Sequence, residues 1–197
     1  RTDKPTTGFE LSARCNITIT KNCNLYLRYL FKKRETNSNN NEYFNEITTL
    51  NRHKLRGCFS FNLTDKIKLK SELNFVCNTE ESFKSPKSGI LAYQDVSYSF
   101  SKINLDLQLR IALFDTDSYE ERIYAYEHDL YQAFNITGYY FQGWRGYLML
   151  KYRYKFVDIW VRIAQTYYTN KTEIGSGADL IESPHKTELK VQLLFHF

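Results

Sequence analysis

In the stretch Lys186-Thr-Glu-Leu-Lys-Val-Gln-Leu-Leu-Phe-His-Phe197, Leu189, Val191, Leu193, Phe195 and Phe197 alternate with Glu188, Lys190, Gln192, Leu194 and His196. Successive side chains of a strand point to opposite faces, so the segment has one apolar face and one mostly polar, charged face. A half-buried strand of a soluble sheet has the same pattern. Position separates the two readings. The last residue is an aromatic on the apolar face, and an outer-membrane barrel whose final strand ends this way closes its sheet there and sets the ring at the membrane interface.

The same alternation extends through the chain. Phe9, Leu11, Ala13, Cys15, Ile17 and Ile19 oppose Glu10, Ser12, Arg14, Asn16, Thr18 and Thr20. After a break at Lys21-Asn-Cys-Asn24, the residues Leu25, Leu27, Tyr29 and Phe31 repeat the pattern, which predicts a hairpin. Two further strand pairs, Leu55 to Leu63 with Leu69 to Cys77 and Ile90 to Phe100 with Leu105 to Phe114, flank turns at Thr64-Asp-Lys66 and Ser101-Lys-Ile-Asn104. Tyr147 to Tyr154 and Ile159 to Tyr168 flank Lys155-Phe-Val-Asp158. Polar stretches at 34–51, 78–88 and 169–185 read as long loops. Short turns at one end and long loops at the other are the asymmetry of an outer-membrane barrel, with the turns periplasmic and the loops extracellular. The segment from Tyr119 to Gly143 must return the chain to the loop end, and it reads either as a hairpin or as a large extracellular excursion.

Composition agrees with strands. The chain has 197 residues, a mean hydropathy of −0.53, 16 Tyr against 2 Trp, and no apolar run near eighteen residues, which excludes helical membrane spans. A net charge of +5 is spread along the strands without the basic cluster of a nucleic-acid site. The sequence starts at Arg1 with no leader, as expected if a signal peptide has been removed or if this is the later part of a longer protein.

The expectation is therefore an all-β, antiparallel up-and-down transmembrane β-barrel of about 10–12 strands, forming one domain or the C-terminal portion of a larger barrel. Its lumen would be lined by Asp106, Gln108, Arg110, Lys151, Arg153, Arg162, Glu188 and Lys190, together with Arg14, Arg28, Arg56, Glu72 and Asp95. A dry core could not hold so many ions. The alternative is the solvent side of a two-layer sandwich. Leu189, Val191, Leu193, Phe195 and Phe197 would form the closing strand.

Chemistry-bearing motifs are sparse. His53, His128, His185 and His196 lack metal-ligand spacing, no phosphate-binding glycine loop is present, and Gly175-Ser-Gly177 is not a nucleophile elbow. Glu127-His-Asp129 could form an acid–base cluster but more often marks a solvated loop. No catalytic, cofactor or metal residues are assigned. Cys15, Cys23, Cys58 and Cys77 are even in number, but Cys15 should oppose the neighbourhood of Leu30 and Cys58 that of Leu73 or Asn74, so free thiols are expected, two of them facing lipid. Of the Asn-x-Ser/Thr sequons at Asn16, Asn62, Asn135 and Asn170, the first two fall within strands, where a glycan would not fit.

Three segments carry a resemblance: Arg122-Ile-Tyr-Ala-Tyr-Glu-His-Asp129, Tyr139 to Tyr154, and Trp160-Val-Arg-Ile-Ala-Gln-Thr-Tyr-Tyr168. With Gly175-Ser-Gly177, Leu180-Ile-Glu182 and His185 to Leu193, they resemble the C-terminal barrel of Bacteroidota outer-membrane proteins that carry a helix-hairpin-helix, competence-like segment near the N-terminus. The resemblance covers residues 119 to the end and is weaker before that. It implies a Gram-negative outer membrane, and a chain that is the C-terminal part of a longer barrel. Nothing about DNA binding carries over, because no helix-hairpin-helix pattern is present. The implied partners are outer-membrane lipid, the barrel-assembly machinery and other outer-membrane proteins. The expected function is non-enzymatic, as a structural subunit, partner or conduit of an envelope complex. A barrel-embedded hydrolase and a soluble β-sandwich or lipocalin-like binder are the competing readings.

Overall fold

A computed structural model describes residues 5–37, 47–80 and 85–197. Its described residues form β1 (Gly8–Thr20), β2 (Cys23–Asn37), β3 (Ile47–Asn62), β4 (Ile67–Glu80), β5 (Lys87–Phe100), β6 (Leu105–Thr116), β7 (Ile123–Glu127), β8 (Asn135–Tyr139), β9 (Gln142–Tyr154), β10 (Val157–Tyr168) and β11 (His185–Phe195). Two single-turn 3₁₀ segments, Tyr119–Glu121 and Gly177–Asp179, complete the regular structure. No helix among the described residues is long and apolar enough to cross a membrane.

Nine strands build one antiparallel up-and-down sheet in the order β1-β2-β3-β4-β5-β6-β9-β10-β11. The wall has nine strands, fewer than the expected 10–12, because β7 and β8 pair only with each other, outside it. Between Tyr119 and Gly143 the excursion is a hairpin that does not extend away from the wall: it leaves β6, folds back over one face of the sheet, and returns as β9 beside β6. The sheet is open among the described residues, with β1 and β11 as its edges.

Strands run further into polar sequence than the alternation predicts. β2 continues to Asn37, β3 starts at Ile47, β4 reaches Glu80 and β5 starts at Lys87, so the loops expected at 34–51 and 78–88 are cut back from both ends, and their centres lie outside the described residues. Ladder hydrogen bonds use backbone groups alone, so pairing continues after apolar side chains stop. Pairing registers also correct the cysteine positions. Cys15 opposes Leu27 rather than Leu30, because the connection is the tight Lys21-Asn22 turn rather than four residues and the register slips by one more between Thr18 and Thr20, and Cys58 opposes Glu72. All four thiols are free; Cys15 and Cys77 lie on the same face as Ala13 and Phe75. The last strand ends at Phe195, although the His196 N–H still donates to Phe156 O at 2.8 Å.

The two faces of the wall are opposites. On one, Leu11, Leu27, Leu55, Leu73, Ile111, Ile163 and Leu189 are exposed. On the other, Glu72, Asp95, Arg110, Arg145, Asp158 and Arg162 are buried. The charged face is the inside of a curl: Ser60 on β3 and Lys151 on β9 line one cavity, whereas a flat sheet would hold strands four spacings apart at about 19 Å. Inner side chains lose their cover toward the edges, being exposed at Glu10, Ser12 and Arg14 on β1 and half-buried at Glu188 and Lys190 on β11.

The β9–β10 contact is tightest at Gly143, where a Cβ would lie 2.0 Å from Tyr167 O and 3.1 Å from the Phe114 ring. At Gly57 the nearest atom to a Cβ is Leu27 Cδ2 at 3.5 Å. Gly143→Ala is expected to cost roughly 1–3 kcal/mol through a forced backbone shift, and Gly57→Ala to be nearly neutral, as read by thermal unfolding of the refolded protein. Equal melting temperatures for the two variants would contradict this packing.

Candidate functional site: an ion network clamping a hairpin to the charged face

Sequence determines how the excursion is held. Ser118 caps the first 3₁₀ turn by accepting from the Glu120 N–H at 3.2 Å, and its hydroxyl donates to the Glu121 carboxylate. Glu121 is fully buried and accepts from Asn78 Nδ2 at 2.7 Å, while Arg52 donates to Asn78 Oδ1 at 2.7 Å and to Glu120 O at 2.6 Å. These contacts dock the start of the excursion on β3 and β4. Period-2 alternation then sends Ile123, Ala125 and Glu127 of β7 toward the wall and leaves Tyr124 and Tyr126 exposed. Ile123, Ala125 and Tyr139 close an apolar cluster with Val76, Leu91, Tyr93, Ala112, Phe114 and Tyr168 near the loop end of the wall.

Glu127 sits at the centre. Arg145 of β9 donates to both its oxygens, Nε at 2.8 Å and Nη2 at 3.1 Å. Arg162 of β10 donates Nη2 to the same carboxylate and Nε to His128 O at 3.0 Å. Tyr139 Oη donates to Oε1 at 2.7 Å. Glu188 of β11, with an oxygen 3.3 Å from Arg145 Nη2, balances the second guanidinium. Burial alone would raise the Glu127 carboxyl, but its bonds and charge from Arg145, then Tyr139 and Arg162, hold it below the usual range. Nearby, Arg110 binds Asp95 through two parallel bonds, at 2.5 and 2.7 Å, donates to Tyr126 O at 2.7 Å, and stacks 3.8 Å over the Tyr93 ring. Lys190 reaches Asp129 at 2.5 Å, and Tyr131 stacks on Trp160.

All eight residues expected to line a lumen lie on this charged face. The network joins Arg110, Arg162, Glu188 and Lys190. Asp106, Gln108 and Lys151 lie together lower down, around a cavity. Arg153 stands apart at the turn end, 3.7 Å from Asp158. Leu189, Val191, Leu193 and Phe195 occupy the opposite, exposed face. Glu127 and Asp129 are committed to cations, and the His128 imidazole is pushed below its ordinary value mainly by burial. No three His, Cys, Asp or Glu among the described residues are grouped to hold a metal ion.

Arg145, at the centre of the network, was not among the residues expected to matter, and Glu127, whose stretch with His128 and Asp129 reads more often as a solvated loop, is fully buried. A signal was present: Arg110, Arg145 and Arg162 share one face of three neighbouring strands, where only Asp95 and Glu188 answer them from the wall. The remaining counter-charge had to come from the excursion, which holds Glu120, Glu121, Glu127 and Asp129. Comparison of the chain with known protein families, with curated proteins and with solved structures finds no match.

Glu127→Gln leaves two buried guanidiniums short of charge and is expected to cost about 3–5 kcal/mol. Because the carboxyl is depressed in the folded state, its stabilisation is complete above the unfolded pKa near about 4.3 and is lost as pH falls through the lower folded value. Melting curves recorded between pH 7 and pH 3 should therefore slope less for Glu127→Gln than for the parent protein. Parallel slopes would exclude the clamp as an ionic one.

Proposed function

We propose that this chain forms the wall of a transmembrane β-barrel in a Gram-negative outer membrane, and that its own hairpin closes the interior, so that it acts as a structural component of an envelope assembly rather than as an enzyme. One observation carries this reading: the burial pattern is inside out for a water-soluble sheet. Soluble monomers rarely expose contiguous apolar patches beyond a few hundred Å², yet here one face of the sheet is predominantly apolar and exposed, with Ser71, Gln94 and Gln165 as its polar interruptions, while ions are buried on the other. A sandwich would pack the apolar face instead.

The apolar face is also banded as lipid requires. Tyr98, Phe100, Tyr152, Tyr154, Phe195 and Phe197 gather toward the turn end, and Phe9, Phe31, Trp144 and Tyr167 toward the loop end. Between them lie aliphatic rows such as Leu109, Leu148, Ile163 and Leu189, which share one register level. From Trp144 to Tyr152 the strand rises about 26 Å at 3.3 Å per residue, or about 20 Å of depth at the tilt usual in such barrels. Aromatic girdles around a lipid-facing band are the pattern of an outer-membrane barrel. The segments resembling Bacteroidota barrels point to the same compartment. An unpaired strand edge cannot face lipid, so the edges of β1 and β11 call for further strands or for each other. The bare inner side chains of β1 favour a wider wall, in which neighbouring barrel strands or envelope proteins are the partners. A conduit is the second reading, favoured by the cavity left below the hairpin.

Leu109→Arg and Leu189→Arg, at the middle of the band, are each expected to cost roughly 2–4 kcal/mol, while Gln192→Arg on the charged face is tolerated. Heat-modifiable migration in detergent reads the difference, and equal damage from all three would remove the assignment of faces. In a background without native cysteines, paired Ser12→Cys and Gln192→Cys should not crosslink in the membrane. Efficient bond formation would mean that β1 and β11 close on each other, and would end the wider-wall reading.

A further inference from the structure

The hairpin covers the loop-end half of the curl and reaches further down beside β10, where Tyr131 stacks on Trp160. Toward the turn end a cavity of about 580 Å³ remains, within the range of small-molecule sites. Pairing registers show how it is assembled on the charged face. One row across the strands reads Asn62, Lys68, Ser97, Gln108 and Met149, and the next, nearer the turns, continues from Ser99 through Asp106 to Lys151. Its charges do not cancel. Lys70 is taken by Glu72 at 3.2 Å, and Asp95 by Arg110. That leaves Lys66, Lys68 and Lys151, with no carboxylate within 4.0 Å of any of them among the described residues, against the single carboxylate of Asp106. Lys151 is held over the Trp160 ring at 5.2 Å, which fixes its amine. The acceptors are unsatisfied too: Gln108 Oε1 is shielded from solvent and has no hydrogen-bond partner.

We propose that this cavity binds a small hydroxylated anion of the sugar-phosphate class. Three lysines and the hydroxyls of Ser60, Ser97 and Ser99 suit a phosphate group, for which lysine serves as a point charge. Gln108 Oε1 and Asp106 need donors, and sugar hydroxyls supply them. The cavity lies on the opposite face from the apolar band, so a free solute reaches it and a lipid headgroup does not. In this last respect the proposal rests on the barrel reading; the site itself does not.

The test is calorimetric titration of the full chain, folded in detergent, with glucose 6-phosphate, glucose and inorganic phosphate. Glucose 6-phosphate should bind at least tenfold more tightly than either of the others. The Lys68→Ala/Lys151→Ala double variant should lose that affinity by tenfold or more, while Lys155→Ala, outside the cavity, keeps it. Both lysines are partly exposed and outside the Glu127 clamp, and heat-modifiable migration verifies that each variant is folded. Should the double variant fail that check, Ser97→Asp provides a second route to the same loss. Absent binding, unchanged affinity in a folded variant, or inorganic phosphate binding as tightly as the sugar phosphate would each overturn the proposal. A chain that needs no detergent to stay folded yet binds glucose 6-phosphate would remove the barrel reading and leave the site standing.

Discussion

The arrangement depends on one buried carboxylate between two guanidiniums. Arg145 and Arg162 are almost wholly buried on adjacent strands, and ions taken out of water cost several kcal/mol each unless they are paired and hydrogen-bonded. The wall alone meets only part of that cost, because Glu188 of β11 offers one carboxylate to the two cations and across β9 and β10 their neighbours are Tyr147, Met149, Ala164 and Thr166. Glu127 supplies the missing charge from outside the wall, with Tyr139 completing its shell from the paired strand of the same hairpin. Dependence runs both ways. A two-stranded ribbon of five-residue strands is marginal by itself, and this one is ordered by the wall it neutralises. The Arg52–Asn78–Glu121 contacts at one end and Lys190–Asp129 at the other make the excursion a strut from β3 to β11, across the open side of the curl.

Much of the wall is legible in the sequence because period-2 alternation is strong where one face is greasy and the other charged. Leu105 to Leu113 and Leu189 to Phe195 show their faces residue by residue, and parity alone places Asp106, Gln108, Arg110, Lys151, Arg153, Arg162, Glu188 and Lys190 together. What fails is whatever depends on something other than side-chain alternation. The ends of β2 to β5 lie in Asn, Thr, Lys and Glu, which carry no facial signal though their backbones pair. The Cys15 register misses by three residues, two because a turn of two residues and one of four look alike in Lys21-Asn-Cys-Asn24 and one because of an irregularity between Thr18 and Thr20 that alternation does not show.

The hairpin is obscure for a different reason. In Ile123-Tyr-Ala-Tyr-Glu127 the exposed face is Tyr and the buried face ends in Glu, so the usual association of apolar with inside is suspended at the residue that matters most. Its role follows only from the charge balance of three strands distant in sequence. The charged faces could be read as a lumen or as the wet side of a sandwich, and sequence has no means of choosing between them. Burial adds what the sequence lacks and supports the proposed lumen, since Arg110, Arg145 and Arg162 are less exposed than Ile111, Leu113 and Ile163 beside them.

The place of the excursion in the chain then makes the two mouths of the curl unlike. β6 ends and β9 begins at the loop end, so the connecting segment must enter from that side, and its ten-residue tip from Glu127 to Ile136 reaches only partway down. The opposite end has turns of two to four residues at 21–22, 63–66, 101–104 and 155–156, too short to fold inward. A wall built by this connectivity is covered on its charged face by the hairpin toward the loop end and left uncovered toward the turn end. The unfilled space collects where strands carry lysine and serine rather than paired arginine. Every buried guanidinium near the hairpin finds a carboxylate, whereas the amines beyond its reach stay solvated, which long flexible side chains at a strand end do at little cost. The polarity of the interior therefore follows from where one connection was inserted between two strands of an otherwise uniform meander.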